Sequence, residues 1–224
     1  MKKCLLLMIS VLVSYMSFAQ DSQESQIVIK AGVGGIFKMD LGGGVLFADG
    51  SSKYPVNMGG GGFAFFDVRY LELLLAYTMG DSMFAEKNNR GKVTYNSPGS
   101  FSTINIGLLL KLPFEAGPAQ IYPLAGIDYQ IFLSRTGKLL GVGVDDSPDI
   151  ELSDLNSLWF DFGFGVDFGI SESFFIRVEA LYGLRLINKY DEYIVDSAPV
   201  SDSTGLIQVA HGPTFKLAAG FSFE

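Results

Sequence analysis

The sequence predicts an all-β protein in which eight antiparallel strands close into an up-and-down barrel that crosses a membrane. Three observations carry this prediction: hydrophobicity alternates with a period of two, short and long connections alternate along the chain, and no segment after the first 19 residues approaches the ~20 apolar residues of a transmembrane helix. Residues 159–170, WFDFGFGVDFGI, show the alternation most clearly. From Phe160 onward every second residue is large and apolar, and those between are Gly or Asp, as on the two faces of a strand.

Segments of this kind recur along the whole chain. Segment 54–66 includes four consecutive glycines, Gly59–Gly62, which mark a bend, and its alternation does not fix which side chains share a face. No Lys-Ser/Thr follows these glycines, as a phosphate-binding loop would require. The eight segments are 27–38, 54–66, 69–79, 102–113, 120–132, 158–170, 174–187 and 209–223.

The connections between these segments alternate in length. Outer-membrane barrels have short periplasmic turns and longer outside loops, and an even strand count places both chain termini on the periplasmic side. We expect any surface ligand to bind through the long connections. The short connections are 67–68, 114–119 and 171–173, and the long ones are 39–53, 80–101, 133–157 and 188–208.

The two faces of the segments differ in chemistry, and the difference predicts which face meets lipid. A soluble barrel such as a lipocalin would turn its apolar face inward and expose a face rich in Lys, Glu and Thr. Here the second face is mostly Gly, Ala, Ser and Thr, which suit the narrow interior of an eight-stranded barrel. The residues predicted to face lipid include Leu73, Leu75, Leu108, Leu110, Phe160, Phe162, Phe164, Phe168, Phe221 and Phe223.

The mid-strand charges stay off the apolar face, where Lys or Arg would cost roughly 2–4 kcal/mol at the midplane. Positive and negative residues nearly balance on the other face, and buried charges persist only when paired. The sequence therefore predicts an internal salt-bridge network that fills the lumen. Its members are Lys30, Glu72, Lys111, Asp128, Asp161, Asp167, Arg177, Glu179, Arg185 and Lys216, and Lys38 lies on the same face.

Aromatic residues near the strand ends predict two interfacial belts, as membrane proteins have. The outer belt is predicted at Trp159, Phe160 and Tyr190, and the inner belt at Phe168, Phe174, Phe175, Phe221 and Phe223.

The N-terminus has the layout of a secretory signal peptide, residues 1–19, which leaves a single barrel domain at 20–224. Lys2 and Lys3 precede an apolar stretch at 4–13, and Ser17-Phe18-Ala19 offers a cleavage site. The stretch is short for a membrane anchor. Cleavage changes the net charge from −8 to −10, because two lysines leave, and it removes the only cysteine, Cys4. Such an acidic chain is not expected to bind nucleic acid.

The chain resembles the small outer-membrane β-barrel family of Gram-negative bacteria, the OmpA/OmpX-type or porin-family barrel domains, in a style similar to those of Bacteroidetes. The resemblance covers the mature chain and rests on pattern. Its most specific part is the last strand, TFKLAAGFSFE, which is similar to the terminal assembly signal of the family, although the aromatic Phe223 is penultimate here. It implies outer-membrane localisation, lipid contact and recognition by the barrel-assembly machinery. No OmpA-type peptidoglycan-binding domain is expected after the eighth strand.

Chemistry-bearing motifs are sparse. Some barrels of this kind trim or acylate lipid A with a His and a Ser or Asp, but the single His211 is followed by Gly-Pro-Thr and no His-x-Ser pair exists. The acidic run DDSPDIELSD, residues 145–154, does not match the calcium-binding EF-hand spacing. We therefore expect no cofactor, no metal and no enzymatic activity. Two functions remain: a structural or surface-interaction protein, which the predicted filled lumen favours, and a narrow pore for ions or small solutes.

Overall fold

The computed structural model describes residues 28–42, 45–46, 52–88, 90–136, 151–188 and 210–223. Within them the chain forms ten strands and one 3-10 helix, Leu152–Leu155. No helix in these ranges is long and apolar enough to cross a membrane. The strands are β1 (Ile29–Leu41), β2 (Val45–Leu46), β3 (Ser52–Val68), β4 (Leu71–Lys87), β5 (Val93–Lys111), β6 (Phe114–Ala116), β7 (Ala119–Arg135), β8 (Ser157–Gly169), β9 (Phe174–Asn188) and β10 (His211–Phe223).

The eight long strands close into a barrel. Each pairs antiparallel with its neighbours in the order β1, β3, β4, β5, β7, β8, β9, β10, and β10 returns to β1. Ala31, for example, lies opposite Phe66 on β3 and Phe221 on β10. The short strands β2 and β6 add to β3 and β7. Closure removes unpaired edges from the wall, and the predicted fold class is confirmed.

Side chains alternate between the interior and the outside along each wall strand. On β8, Asp161 and Asp167 are buried, whereas Phe162 and Phe164 are exposed. Glycines on the inner face let strands approach closely. A Cβ added at Gly163 would lie 2.1 Å from the carbonyl oxygen of Ala180, so only glycine fits there.

The strands around one long connection extend further than the sequence predicts. The predicted connection 80–101 is largely strand, because β4 runs to Lys87 and β5 begins at Val93. Parts of the connections 39–53, 133–157 and 188–208 lie outside the described residues, as does the predicted signal peptide 1–19. We call the barrel end that carries these connections the loop end.

We call the opposite end of the barrel the turn end. There the first short connection differs from the prediction. Residues 67–68 are not a turn, because β3 continues through Val68 and the turn is Arg69-Tyr70, with Arg69 at a φ of 56°. The register of segment 54–66, which alternation left open, places Phe65 and Asp67 inside and Phe66 outside.

Candidate functional site

The guanidinium of Arg177, on β9, lies at the centre of the interior near the turn end. Its Nε and Nη2 donate to the two carboxylate oxygens of Asp167 at 2.7 and 2.8 Å. Nη2 also donates to Asp67 at 2.7 Å, and Nη1 donates to Glu72 at 2.9 Å. Arg177 thus joins carboxylates from β3, β4 and β8, and its planar fork suits such bidentate pairing.

Three lysines complete the charge balance around Arg177. Lys30 contacts Asp167 at 2.8 Å, and Lys216 contacts Glu179 at 3.0 Å. Lys111 contacts Glu72 at 3.1 Å and also forms an ion pair with Asp67. Four cations therefore face four carboxylates. We call these eight residues the Arg177 cluster: Lys30, Asp67, Glu72, Lys111, Asp167, Arg177, Glu179 and Lys216.

Uncharged side chains support the Arg177 cluster. The hydroxyl of Tyr122, on β7, lies 2.9 Å from Asp167 and 3.1 Å from Glu179, and Gln120 accepts a hydrogen bond from Lys30 at 2.6 Å. The Cζ atom of Arg177 lies 4.0 Å from the ring centroid of Phe65, within range of a cation–π interaction. With Tyr122 and Gln120 included, every wall strand contributes to this network.

Phe175 belongs to this interior as well. It is 4% exposed and packs against Phe65, with ring centroids 6.1 Å apart. The prediction that Phe175 lies in an interfacial belt is therefore wrong. The two adjacent phenylalanines, 174 and 175, lie on opposite faces, so only one of them could be outside.

A second polar layer, the outer layer, lies between the Arg177 cluster and the loop end. Trp159 is 1% exposed, and its Nε1 donates to Gln130 and Ser157 at 3.1 and 2.9 Å. Lys38 Nζ lies 4.5 Å from the Trp159 ring centroid and 4.0 Å from Asp40. The prediction that Trp159 lies in an interfacial belt is wrong. Trp159 and Asp161 are two residues apart on β8, so their side chains lie on the same, inner face.

The predicted network residues divide between these two layers. Asp128, Asp161 and Arg185 lie toward the loop end, where Asp128 accepts a hydrogen bond from Asn105 at 3.0 Å. Asp161 is 5% exposed, and its Oδ1 has no hydrogen-bond partner among the described residues. The other seven lie in the Arg177 cluster: Lys30, Glu72, Lys111, Asp167, Arg177, Glu179 and Lys216.

Sequence reasoning missed Asp67, Tyr122 and Gln120. Asp67 was assigned to a turn because the glycine run obscured the register of β3. The alternation of β7 could have identified Tyr122, because Tyr122 and Asp128 are an even number of residues apart and lie on the same face. Tyrosine carries no charge, however, and the prediction of interior residues relied on charge.

The residues predicted to face lipid lie on the outside of the barrel. Phe164 is 67% exposed and Leu75 is 56% exposed, and together with their neighbours they form an apolar band around the wall. Phe160 and Leu110 are half-buried within this band. The remaining residues of the predicted set are exposed: Leu73, Leu108, Phe162, Phe168, Phe221 and Phe223.

The remaining chemistry-bearing residues form no catalytic or metal-binding arrangement among the described residues. The ring of His211 stacks on Tyr182, and its Nδ1 shares a hydrogen bond with the Tyr182 hydroxyl. Glu151 and Asp154 form a capping box on the 3-10 helix, and the rest of the acidic run lies outside the described ranges. No group of three or more potential ligands in those ranges could hold a metal ion.

Three solved structures are similar to this chain over most of their length. The outer membrane protein OprG from Pseudomonas aeruginosa is 11% identical with a TM-score of 0.48, covering 88% of this chain and 96% of its own. The outer membrane protease OmpT from Escherichia coli is 9% identical with a TM-score of 0.42, covering 90% and 99%. Neisserial surface protein A is 14% identical with a TM-score of 0.40, covering 88% and 96%. The chain matches no protein-family profile and no curated protein sequence.

Proposed function

We propose that the protein is a small outer-membrane β-barrel, closed to solutes by the Arg177 cluster, that acts as a structural and surface-interaction protein through its loop end. The observation that carries the proposal is the polarity of the wall: an apolar band outside and a balanced set of charges inside. A closed barrel satisfies all its backbone groups within itself, which is what a lipid environment requires. The ion pairs of the Arg177 cluster then stabilise the interior near the turn end, and lipid would cover the apolar band.

An outer-membrane position would imply the following partners. Membrane lipid would surround the apolar band. The barrel-assembly machinery would recognise β10, whose outward side chains end in Phe221 and Phe223. The turn end would face the periplasm, and the loop end would present residues 39–53, 80–101, 133–157 and 188–208 to a surface ligand.

The reach of Arg177 supports the proposed closed interior. Its guanidinium extends from β9 to carboxylates on β3 and β4, on the opposite part of the wall. An eight-stranded barrel has room inside for little more than its own side chains. We therefore expect the Arg177 cluster to block the passage of ions.

A narrow pore is the second candidate, and the outer layer favours it. Lys38 Nζ and Asp161 Oδ1 are buried without a hydrogen-bond partner among the described residues. Buried polar atoms of this kind recruit water. Water would then reach the Arg177 cluster from the loop end, and opening of the cluster would complete a passage.

Catalysis is not part of the proposal. His211, the only histidine, points to the outside of the barrel, and its hydrogen-bond partner within the described residues is the Tyr182 hydroxyl.

The test refolds residues 20–224 into detergent and then into a planar bilayer. A folded barrel resists SDS, so the unboiled protein should migrate differently from the boiled protein, and no stable conductance should appear. Reproducible single-channel conductance of the heat-modifiable protein would contradict the closed barrel and favour the narrow pore. Failure to insert or to resist SDS would overturn the membrane placement itself.

A further inference from the structure

The hairpin of β4 and β5 projects beyond the apolar band at the loop end. The exposed apolar residues of β4 end at Met79, and Asp81 is the first exposed charge. Pairing continues from Asp81 to Lys87, which at about 3.4 Å per residue adds roughly 20 Å of strand. With a strand tilt of about 40°, this is roughly 15 Å along the barrel axis. A lipid headgroup layer is only about 5–8 Å thick, so in the proposed outer membrane the tip would lie beyond the lipid phosphates.

The turn at the tip is held by Asn88. Its Oδ1 accepts hydrogen bonds from the backbone N–H groups of Arg90 and Lys92 at 3.0 and 2.9 Å. The backbone N–H of Asn88 donates to the Lys92 carbonyl oxygen at 3.0 Å, and Gly91 takes the left-handed φ of 81° that closes the turn. Hydrogen bonds within the chain therefore hold the backbone of Asn88, Arg90, Gly91 and Lys92 without a ligand, which lowers the cost of binding.

This ordered turn concentrates positive charge in an acidic protein. Lys87, Arg90 and Lys92 are exposed, and none is in an ion pair among the described residues. With Glu86, segment 86–92 has a net charge of +2, whereas the whole chain has −8. Two other connections are acidic in sequence: residues 137–150 carry a net −2 and residues 189–209 a net −3.

We propose that the turn Lys87–Lys92 is a binding element for an anionic polysaccharide outside the cell, an inference that rests on the proposed outer-membrane placement. A polymer of sulfated, phosphorylated or uronic-acid sugars presents charges at regular spacing, so several can meet the three cations together. Arg90 can bind one acidic group with two parallel hydrogen bonds, while the lysines act as point charges. With −8 for the whole chain and +2 for segment 86–92, the remaining residues carry a net −10, which disfavours contact of the same polymer elsewhere.

The probe is fluorescent dextran sulfate, with uncharged dextran of the same mass as the ligand control. The protein, residues 20–224, is reconstituted in vesicles of neutral phosphatidylcholine at 50 mM salt. The test variant is Lys87→Gln/Arg90→Gln/Lys92→Gln. The matched variant Lys87→Arg/Arg90→Lys/Lys92→Arg keeps all three charges at the same positions.

We expect the wild type and the charge-conserving variant to bind dextran sulfate at least tenfold more tightly than the glutamine variant. Uncharged dextran should not bind, and the affinity should fall steeply between 50 and 300 mM salt because the contacts are exposed. Equal binding by the glutamine variant, or no binding by the wild type, would overturn the proposal. Aggregation of wild-type vesicles without ligand, lost in the glutamine variant, would instead assign the turn to the acidic segments of a second copy.

Failure of this inference is distinguishable from failure of the proposed function. Each variant is first tested for heat-modifiable migration and for insertion into the vesicles. A chain that inserts but does not bind dextran sulfate leaves the barrel proposal intact and removes only the polysaccharide. A chain that does not insert removes both.

Discussion

Replacement of Arg177 by methionine should destabilise the barrel strongly, because it leaves four carboxylates facing three lysines in a buried site. Methionine fills a similar volume, so the loss is electrostatic. Removing one partner of a buried ion pair typically costs about 3–5 kcal/mol, far more than the pair itself contributes. Asp167 gives the sharpest test, because it receives two short guanidinium hydrogen bonds, at 2.7 and 2.8 Å, whereas Asp67 receives one at 2.7 Å and one at 3.4 Å.

The double variant Arg177→Met/Asp167→Asn removes one charge of each sign and restores neutrality at the same place. We expect it to recover about 1–3 kcal/mol relative to the sum of the two single variants, as residues in one network do. The control is Arg177→Met/Asp161→Asn. It restores the same net charge, but Asp161 lies in the outer layer and makes no hydrogen bond or ion pair with Arg177.

The measurement is urea unfolding in lipid vesicles, followed by tryptophan fluorescence. Trp159 is the only tryptophan in the chain and is buried inside the barrel, so its emission reports on the closed interior. If Arg177→Met matches the wild type in unfolding free energy, the charges are hydrated and the cluster does not stabilise the barrel. If Asp161→Asn rescues as well as Asp167→Asn, only net charge matters and the ion-pair geometry is irrelevant.

Two further substitutions test the wall. Phe164→Arg should reduce the unfolding free energy in lipid by roughly 2–4 kcal/mol, because residue 164 faces the middle of the apolar band. The control Phe164→Leu should reduce it far less. Equal losses would mean that this face does not contact lipid. Gly163→Ala should also destabilise the barrel, by about 1–3 kcal/mol, because its Cβ would meet the Ala180 carbonyl oxygen at 2.1 Å. Gly35→Ala is its control, since the nearest atom there is 3.9 Å away, and refolding yield with urea titration would show whether the two glycines differ.

Alternation predicted the eight wall strands and the face of most residues because an apolar outer face and a narrow polar interior impose opposite chemistry on neighbouring positions. The same reasoning fails where that contrast ends. From Asp81 to Lys87 and from Val93 to Ser100 the regular apolar alternation ends, because charged Asp81 and Lys87 are exposed as well as Val93, and the segment resembles a loop in sequence. The predicted segments 69–79 and 102–113 are therefore shorter at the loop end than β4 and β5.

The interior contacts could be predicted only as far as charge indicates them. Arg177 and Glu72 were identified because a charge in the middle of a strand needs a partner. Asp67 was missed because four glycines remove the side chains whose alternation would show the register. Trp159 was assigned to a belt from its residue type, although its parity with Asp161 indicated the inner face.

The distribution of the Arg177 cluster around the wall also bears on how the barrel assembles. Lys30 comes from the first wall strand and Lys216 from the last, and both pair with carboxylates from other strands. Only a sheet that includes both the first and the last wall strand holds all eight charges, so an unclosed sheet in the proposed membrane would hold unpaired ions beside hydrocarbon. We therefore expect water to solvate these charges until β1 pairs with β10. Water would leave the interior when that pairing forms, which would make barrel closure the decisive step of folding.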